Sequence, residues 1–211
     1  MILFFGMMEL LALYGGLRFL KRFDEKAGIE ATRKEYLILW VSLSLMERSI
    51  FSIYGYGREF FCHSFLIFYL IIAAFIDYKI QKVYRIGSFL FIVTTVLVFF
   101  LLQKQEMFLL LEKLTVILVF SMIIIFQGLH SMMGWGDVLT YIGIFFWIAS
   151  LSYTCMTVEI LAVYMLIANL LFFIGNIKKF NWETKALIEE SAFLPAMAGA
   201  LEILFLGVYV G

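Results

Sequence analysis

Two of the three aspartates in the sequence stand where an acidic side chain is unusual. Asp77 ends the apolar run 65–76, and Asp137 opens the apolar run 138–149. Asp24, by contrast, lies in a charged segment that is typical of a solvated loop. An acid at the end of a membrane-length apolar helix requires a partner or a function, because charge is costly near the bilayer core. Asp77 and Asp137 are therefore the candidate catalytic residues.

Two carboxyl groups brought together can hydrolyse a peptide bond. They do not both ionise easily, so one proton is shared and the pair titrates as a unit. The ionised partner activates water as a general base, and the protonated partner polarises the peptide carbonyl. The alternative is that each aspartate caps a helix at the membrane interface. Asp137 precedes a helix and would cap it well, whereas Asp77 at a helix C-terminus would meet the helix dipole unfavourably.

The elements that carry these residues are expected to lie in a membrane. The chain has 211 residues, of which 64% are hydrophobic, and its net charge is zero. Soluble domains are about 45–50% apolar, so the bilayer must solvate much of this surface. The zero net charge gives no indication of a nucleic-acid partner. The sequence predicts one all-α integral membrane domain over residues 1–211, a transmembrane helical bundle.

Eight stretches approach the roughly 20 apolar residues that a transmembrane helix needs. The second is the least regular, because Glu47 and Arg48 interrupt it and must pair with each other or face the bundle interior. The first lacks a basic n-region and a small-residue cleavage site, so we interpret it as a retained span. The predicted spans are residues 2–19, 36–55, 64–77, 88–103, 108–129, 138–154, 157–177 and 191–210.

Basic residues are distributed unevenly between the predicted loops. Twelve of the sixteen Lys and Arg residues fall in segments 18–35, 78–87 and 178–190, and four lie nearer the opposite side. The positive-inside rule places the larger set in the cytoplasm, with both termini outside a plasma (inner) membrane. Because two predicted spans separate Asp77 from Asp137, both aspartates are expected at the cytoplasmic face.

A glycine motif precedes the second aspartate, in the order Gly134-Trp135-Gly136-Asp137. Glycines at this place allow unusual backbone dihedrals and the close approach of an extended substrate strand. His130 lies seven residues before Asp137. It is an interfacial polar residue or, alternatively, lines the same site.

Taken together, these features resemble the type IV prepilin peptidases, which are membrane aspartic proteases with a GxGD motif. The first matching motif is an apolar span that ends in Asp and is followed by a basic residue, here residues 73–79. The second is GxGD before an apolar span, and the third is Pro195 in a late apolar segment. The resemblance covers about residues 62–211. It implies that Asp77 and Asp137 are catalytic, and it places Lys79, Gly134, Gly136 and Pro195 near the substrate.

The resemblance implies removal of a short basic leader from a prepilin-like precursor whose apolar helix enters the bilayer. It implies no cofactor. Leu139 stands where members of the family usually have Lys, and residues 83–85 lack their usual Pro. The loop 20–35 is short and has no cysteine, as in the peptidase-only forms of flagellin and tight-adherence pilus systems. With Lys79 basic, acidic partners for the leader are sought in loop 178–190.

Two alternatives remain open from the sequence. Presenilin-like proteases share GxGD and a late Pro-Ala-Leu, close to Pro195-Ala196-Met197, but they place their aspartates on adjacent spans. A non-catalytic assembly subunit or transporter would use mid-span acids such as Glu47 and Glu202 along a pathway. The two histidines are predicted on opposite faces, so no metal site is expected. Whether Cys62 and Cys155 pair, and how many copies assemble, stays undetermined.

Overall fold

The computed structural model describes residues 9–18, 30–81, 85–102, 107–130, 133–151, 157–177, 180–181, 186–187 and 192–209. In these ranges the chain forms eight α-helices and one pair of two-residue antiparallel strands. The helices are α1 (9–18), α2 (Arg33–Tyr54), α3 (Arg58–Ile80), α4 (Arg85–Leu102), α5 (Met107–Leu129), α6 (Trp135–Leu151), α7 (Thr157–Asn176) and α8 (Leu194–Tyr209). The strands are β1 (Phe180–Asn181) and β2 (Ala186–Leu187).

The all-α class predicted from the sequence is confirmed. Five helices, α2, α3, α4, α5 and α7, are long and apolar enough to cross a membrane, which is the pattern of a multi-pass membrane protein. The apolar helices α6 and α8 are shorter. Eight helices correspond in order to the eight predicted spans, but a crossing by each of them stays a prediction.

Side-chain and backbone caps set the ends of α2. The Thr32 hydroxyl accepts a hydrogen bond from the backbone N–H of Glu35 at 3.3 Å, and the Glu35 carboxylate accepts one from the Thr32 N–H at 2.7 Å. This reciprocal capping box satisfies two N–H groups that the first turn leaves free. The helix ends at Gly55, whose φ of 60° is open to glycine at little steric cost.

The helix that carries Asp77 is longer than predicted. The apolar run indicated residues 64–77, whereas α3 extends over Arg58–Ile80, because helical hydrogen bonds continue through polar residues that a hydrophobicity criterion excludes. Gln81 ends it in the left-handed conformation with φ 52°, and its N–H donates to the Asp77 carbonyl at 2.7 Å. Asp77 therefore lies in the last turn of the helix.

The chain divides into two compact units, and the first comprises Met1–Lys82 and Leu171–Gly211. Within it, α2, α3 and α8 pack against one another in pairs. Leu17 of α1 forms a buried cluster with Phe75 and Ile76, which fixes the turn of α3 just before Asp77. Glu47 faces α1, where its carboxyl contacts that of Glu9.

The second unit, Val83–Leu170, is built around α6. This helix packs against α4 and α5, and most of its side chains are buried. Glycines allow the close approach: a Cβ added at Gly143 would lie 2.7 Å from the Phe91 ring, and one added at Gly128 would lie 2.8 Å from Val138. The buried ammonium of Lys113 donates to the carbonyl of Ala149 at 3.1 Å and so satisfies the C-terminal turn of α6.

Candidate active site

Asp77 is held by the N-terminus of a helix far from it in sequence. Its Oδ2 accepts a hydrogen bond from the backbone N–H of Leu194 at 2.9 Å, and the carboxyl also accepts from the N–H of Phe193. Only 3% of Asp77 is exposed. Leu194 is the first residue of α8, so the carboxylate sits at the positive end of that helix and takes up N–H groups that have no partner within it.

This arrangement changes the interpretation of Asp77 as a cap. The sequence indicated that Asp77 suits a cap badly, because the end of its own helix disfavours an anion. The structure shows that Asp77 caps α8 instead, across 117 positions of the chain. Pro195 occupies the second position of α8, where a residue without an N–H is tolerated, and so it marks the start of the helix that meets Asp77.

Lys79 lies two residues beyond Asp77 and is paired within the same unit. Its Nζ is 2.6 Å from Oε1 of Glu35 and 5.6 Å from the centre of the Phe75 ring. The acids that the sequence suggests as partners for the basic leader of the substrate, Glu183, Glu189 and Glu190 of loop 178–190, lie outside the described residues. Glu35 is the acidic partner of Lys79 itself. Its capping-box spacing from Thr32 is visible in the sequence, but its proximity to Lys79 is not.

Asp137 lies in the first turn of α6 and is half-buried. A Cβ added at Gly134 would lie 3.2 Å from its Oδ2, so the absence of a side chain at 134 leaves room for this carboxylate. The Gly134 carbonyl accepts a hydrogen bond from the Val138 N–H at 3.0 Å, which starts the helix. Tyr141, one turn further and fully buried, lies near enough to interact electrostatically with Asp137. Its spacing of four residues was a usable sequence signal for this neighbour.

The expectation of unusual dihedrals in the glycine motif was wrong. In the described part of the chain, only Gly55 and Gln81 have positive φ, so Gly134 and Gly136 adopt backbone conformations open to other residues. Gly136 belongs to α6 rather than to a loop, and it is buried. The motif therefore makes two contributions. Gly134 leaves open space for the Asp137 carboxylate, and α6 begins inside the motif, at Trp135.

The two histidines belong to different units of the chain. His130 is exposed at the end of α5, where its ring contacts that of Phe126 with centroids 4.2 Å apart. His63 is fully buried in α3 beside Tyr54. Among the described residues, no group of three His, Cys, Asp or Glu side chains could hold a metal ion. Cys62 is a free thiol, and Cys155 lies outside the described residues.

Asp77 belongs to the first unit and Asp137 to the second. Each aspartate is thus in a terminal turn of an apolar helix, with its own set of contacts, and their meeting in one site stays a prediction. Comparison of the chain with protein-family models, curated proteins and solved structures gives no match. The resemblance to prepilin peptidases therefore rests on the residues quoted for it.

Proposed function

We propose that this chain is a membrane aspartic endopeptidase that removes the basic leader of prepilin-like precursors at the cytoplasmic face. Asp77 and Asp137 supply the two catalytic carboxyl groups. The proposal goes beyond the all-helical, multi-pass architecture and depends on the motifs around both aspartates. The cell membrane is its location, and the apolar helix of the precursor reaches it through the bilayer.

One observation carries the proposal: the two aspartates stand at terminal turns of α3 and α6, with two long apolar helices between them. Helices α4 and α5 have 18 and 23 residues. At 1.5 Å per residue they are about 27 and 35 Å long, close to the ~30 Å hydrocarbon core of a bilayer. Two crossings return the chain to its starting face, which supports a common membrane surface for Asp77 and Asp137.

The reaction uses both carboxyl groups and one water molecule. The ionised carboxylate takes a proton from water as the water oxygen adds to the scissile carbonyl carbon, and the protonated partner donates its proton to the carbonyl oxygen. The resulting diol collapses with cleavage of the C–N bond: the leaving amine takes the proton that came from water, and one diol hydroxyl returns its proton to the second carboxylate. The Leu194 and Phe193 amides hold one of the two carboxyl groups in place through this cycle.

Co-expression with a precursor that carries a basic leader and an apolar helix tests the proposal. Asp77→Asn and Asp137→Asn should each abolish the size shift of the precursor while the protein still inserts in the membrane. Asp24→Asn, in the charged segment, should cleave at the parental rate. Cleavage by either of the first two variants at native expression levels would remove that aspartate from the catalytic pair.

The orientation has its own test. Cys62 and Cys155 are first replaced by Ser, and single cysteines are then placed at the exposed positions Gln81, after α3, and Tyr56, before α3. An impermeant maleimide added to intact cells should label Tyr56→Cys, and it should label Gln81→Cys only after the membrane is opened. The reverse pattern would put Asp77 outside and contradict a cytoplasmic site.

A second candidate function is a non-catalytic membrane protein, and the contacts of Asp77 favour it. A carboxylate that is 3% exposed and bound to two amides of α8 has a sufficient structural role. Glu47, in the middle of α2, contacts Glu9 of α1 beside Ser44 and is the kind of mid-helix acid that such a protein would use. If both Asn variants insert normally and no candidate precursor is cleaved by the parental protein, this second function is preferred.

A further inference from the structure

A groove runs along three helices of the first unit and has a volume of about 390 Å³. Each helix lines it with residues spaced three or four apart, among them Ile38 and Ser42 of α2, Ala74 and Tyr78 of α3, and Ala198 and Glu202 of α8. We call it the lateral groove. Ile38 and Tyr78 are 63% and 61% exposed, so it opens on the surface of the helices.

The size of the lateral groove restricts its occupant. It follows α2 over the twelve residues from Glu35 to Met46, whose eleven steps of 1.5 Å span about 17 Å. The groove is open along one side, so its length and its apolar walls, rather than its volume, restrict what it binds. A single extended hydrocarbon chain fits along this length.

The polarity of the groove walls also favours a hydrocarbon chain. Most lining residues are apolar, so the N–H and C=O groups of an extended peptide would find few partners there. The lining acids are Glu35 at one end and Glu202, which is hydrogen-bonded to Ser42, towards the other. An anionic occupant is opposed by the Glu35 carboxylate at the exposed end. An occupant with an apolar chain and an ammonium group is favoured.

One acidic and one basic side chain lie at the end of the lateral groove beside Tyr78. Glu35 and Lys79 form an ion pair there, and their side chains stay 20% and 26% exposed. A carboxylate has further acceptor positions and an ammonium has three donors, so each can bind a second group. An exposed tyrosine is typical of the headgroup level of a bilayer. The pair thus matches a headgroup that carries one ammonium and one phosphate.

We propose that the lateral groove binds one acyl chain of phosphatidylethanolamine, with its ammonium beside Glu35 and its phosphate beside Lys79. The helices α2 and α3 that form two of its walls are long and apolar enough to cross a membrane, which brings the groove among acyl chains. This lipid site uses neither Asp77 nor Asp137, although it shares Lys79 and Pro195 with the residues that the resemblance places near the substrate.

Native mass spectrometry of the whole protein, purified in mild detergent with equal amounts of phosphatidylethanolamine and phosphatidylglycerol, tests the site. The parental protein should retain one phosphatidylethanolamine, at least fivefold more often than phosphatidylglycerol. Ala198→Phe fills the groove from α8, and Ile38→Trp blocks its open side; each should lower retention at least fivefold. Ile203→Phe, on the same helix as Ala198 but exposed and outside the groove, is the matched control and should retain the lipid.

Photolabelling gives a readout that does not require folded variants. Phosphatidylethanolamine with a diazirine in its acyl chain, diluted in phosphatidylcholine nanodiscs with the parental protein, should mark peptides of α2, α3 and α8 that line the groove. Labels spread evenly over the exposed apolar helices would overturn the proposal. Equal retention of phosphatidylglycerol would also overturn it, as would a dimer that dissociates in Ala198→Phe, since a second copy would then be the occupant.

Discussion

Asp77 lies in the last turn of α3 and Asp137 in the first turn of α6, and different forces hold the two aspartates. Asp77 is buried, and its carboxylate is fixed by hydrogen bonds to the first amides of α8. Asp137 is half-buried, and the position of its helix depends on close packing of glycines against neighbouring helices. A carboxylate fixed by hydrogen bonds tolerates an isosteric acceptor but not truncation. One that is positioned by packing tolerates truncation but not an added methyl group.

Truncation of Asp77 should have the largest effect on stability. Asp77→Ala leaves two buried amides of α8 without their acceptor, and each such group costs about 1–3 kcal/mol. We expect Asp77→Ala to unfold in detergent with a loss of roughly 2–4 kcal/mol, whereas Asp77→Asn keeps an acceptor oxygen and should lose less than half of this. Asp137→Ala is the matched control and should change stability by about 1 kcal/mol or less. Equal losses of stability in Asp77→Ala and Asp137→Ala would contradict the proposed difference between the two aspartates.

The packing of the Asp137 helix is tested at Gly143. A Cβ here would lie 2.7 Å from Phe91, so Gly143→Ala must displace the ring or α6, and overpacking of this kind costs about 1–3 kcal/mol. The control is Gly175→Ala, because a Cβ at Gly175 meets nothing within 4 Å, and its stability should hold or rise. Thermal unfolding in detergent measures both variants. A neutral Gly143→Ala would show that α4 and α6 have room to separate.

A smaller effect, on activity rather than on folding, is expected at Gly134. A Cβ there would lie 3.2 Å from Oδ2 of Asp137 and would move that carboxylate by a few tenths of an ångström. We expect Gly134→Ala to lower the cleavage rate by roughly tenfold, equivalent to about 1.4 kcal/mol in the barrier, with unfolding almost unchanged. Single-turnover cleavage of a precursor is the measurement. Stability and rate that fall together would give Gly134 a folding role instead.

The smallest effect is expected at Lys79. Its ion pair with Glu35 is exposed to solvent, and such pairs contribute little to stability because water and salt screen them. Lys79→Met should destabilise the protein only slightly, and the difference from the parental protein should shrink in high salt. Glu35→Gln keeps an acceptor for the Thr32 N–H and should behave similarly. A loss of several kcal/mol in Lys79→Met would mean that the pair fixes the turn carrying Asp77 as strongly as α8 does.

The sequence by itself determined the helical class and the places of both aspartates. Its apolar runs are long enough to predict each helix, and a polar residue at the end of such a run is visible without any tertiary contact. The capping box of Thr32 and Glu35 and the proline of α8 are local signals of the same kind. They depend on hydrogen bonds between residues a few positions apart, which spacing alone can indicate.

Only the tertiary structure decided what the side chains meet. The partner of Asp77 is an amide 117 residues away, the partner of Lys79 lies on α2, and the neighbour of Gly143 is a ring on α4. Within a helix the pattern of a sequence specifies which face a residue occupies, but not which helix covers that face. In a chain with apolar residues on nearly every face, hydrophobic periodicity no longer distinguishes buried faces from lipid-facing ones. Side-chain packing and the need of buried amides for hydrogen-bond acceptors determine which helix covers each face.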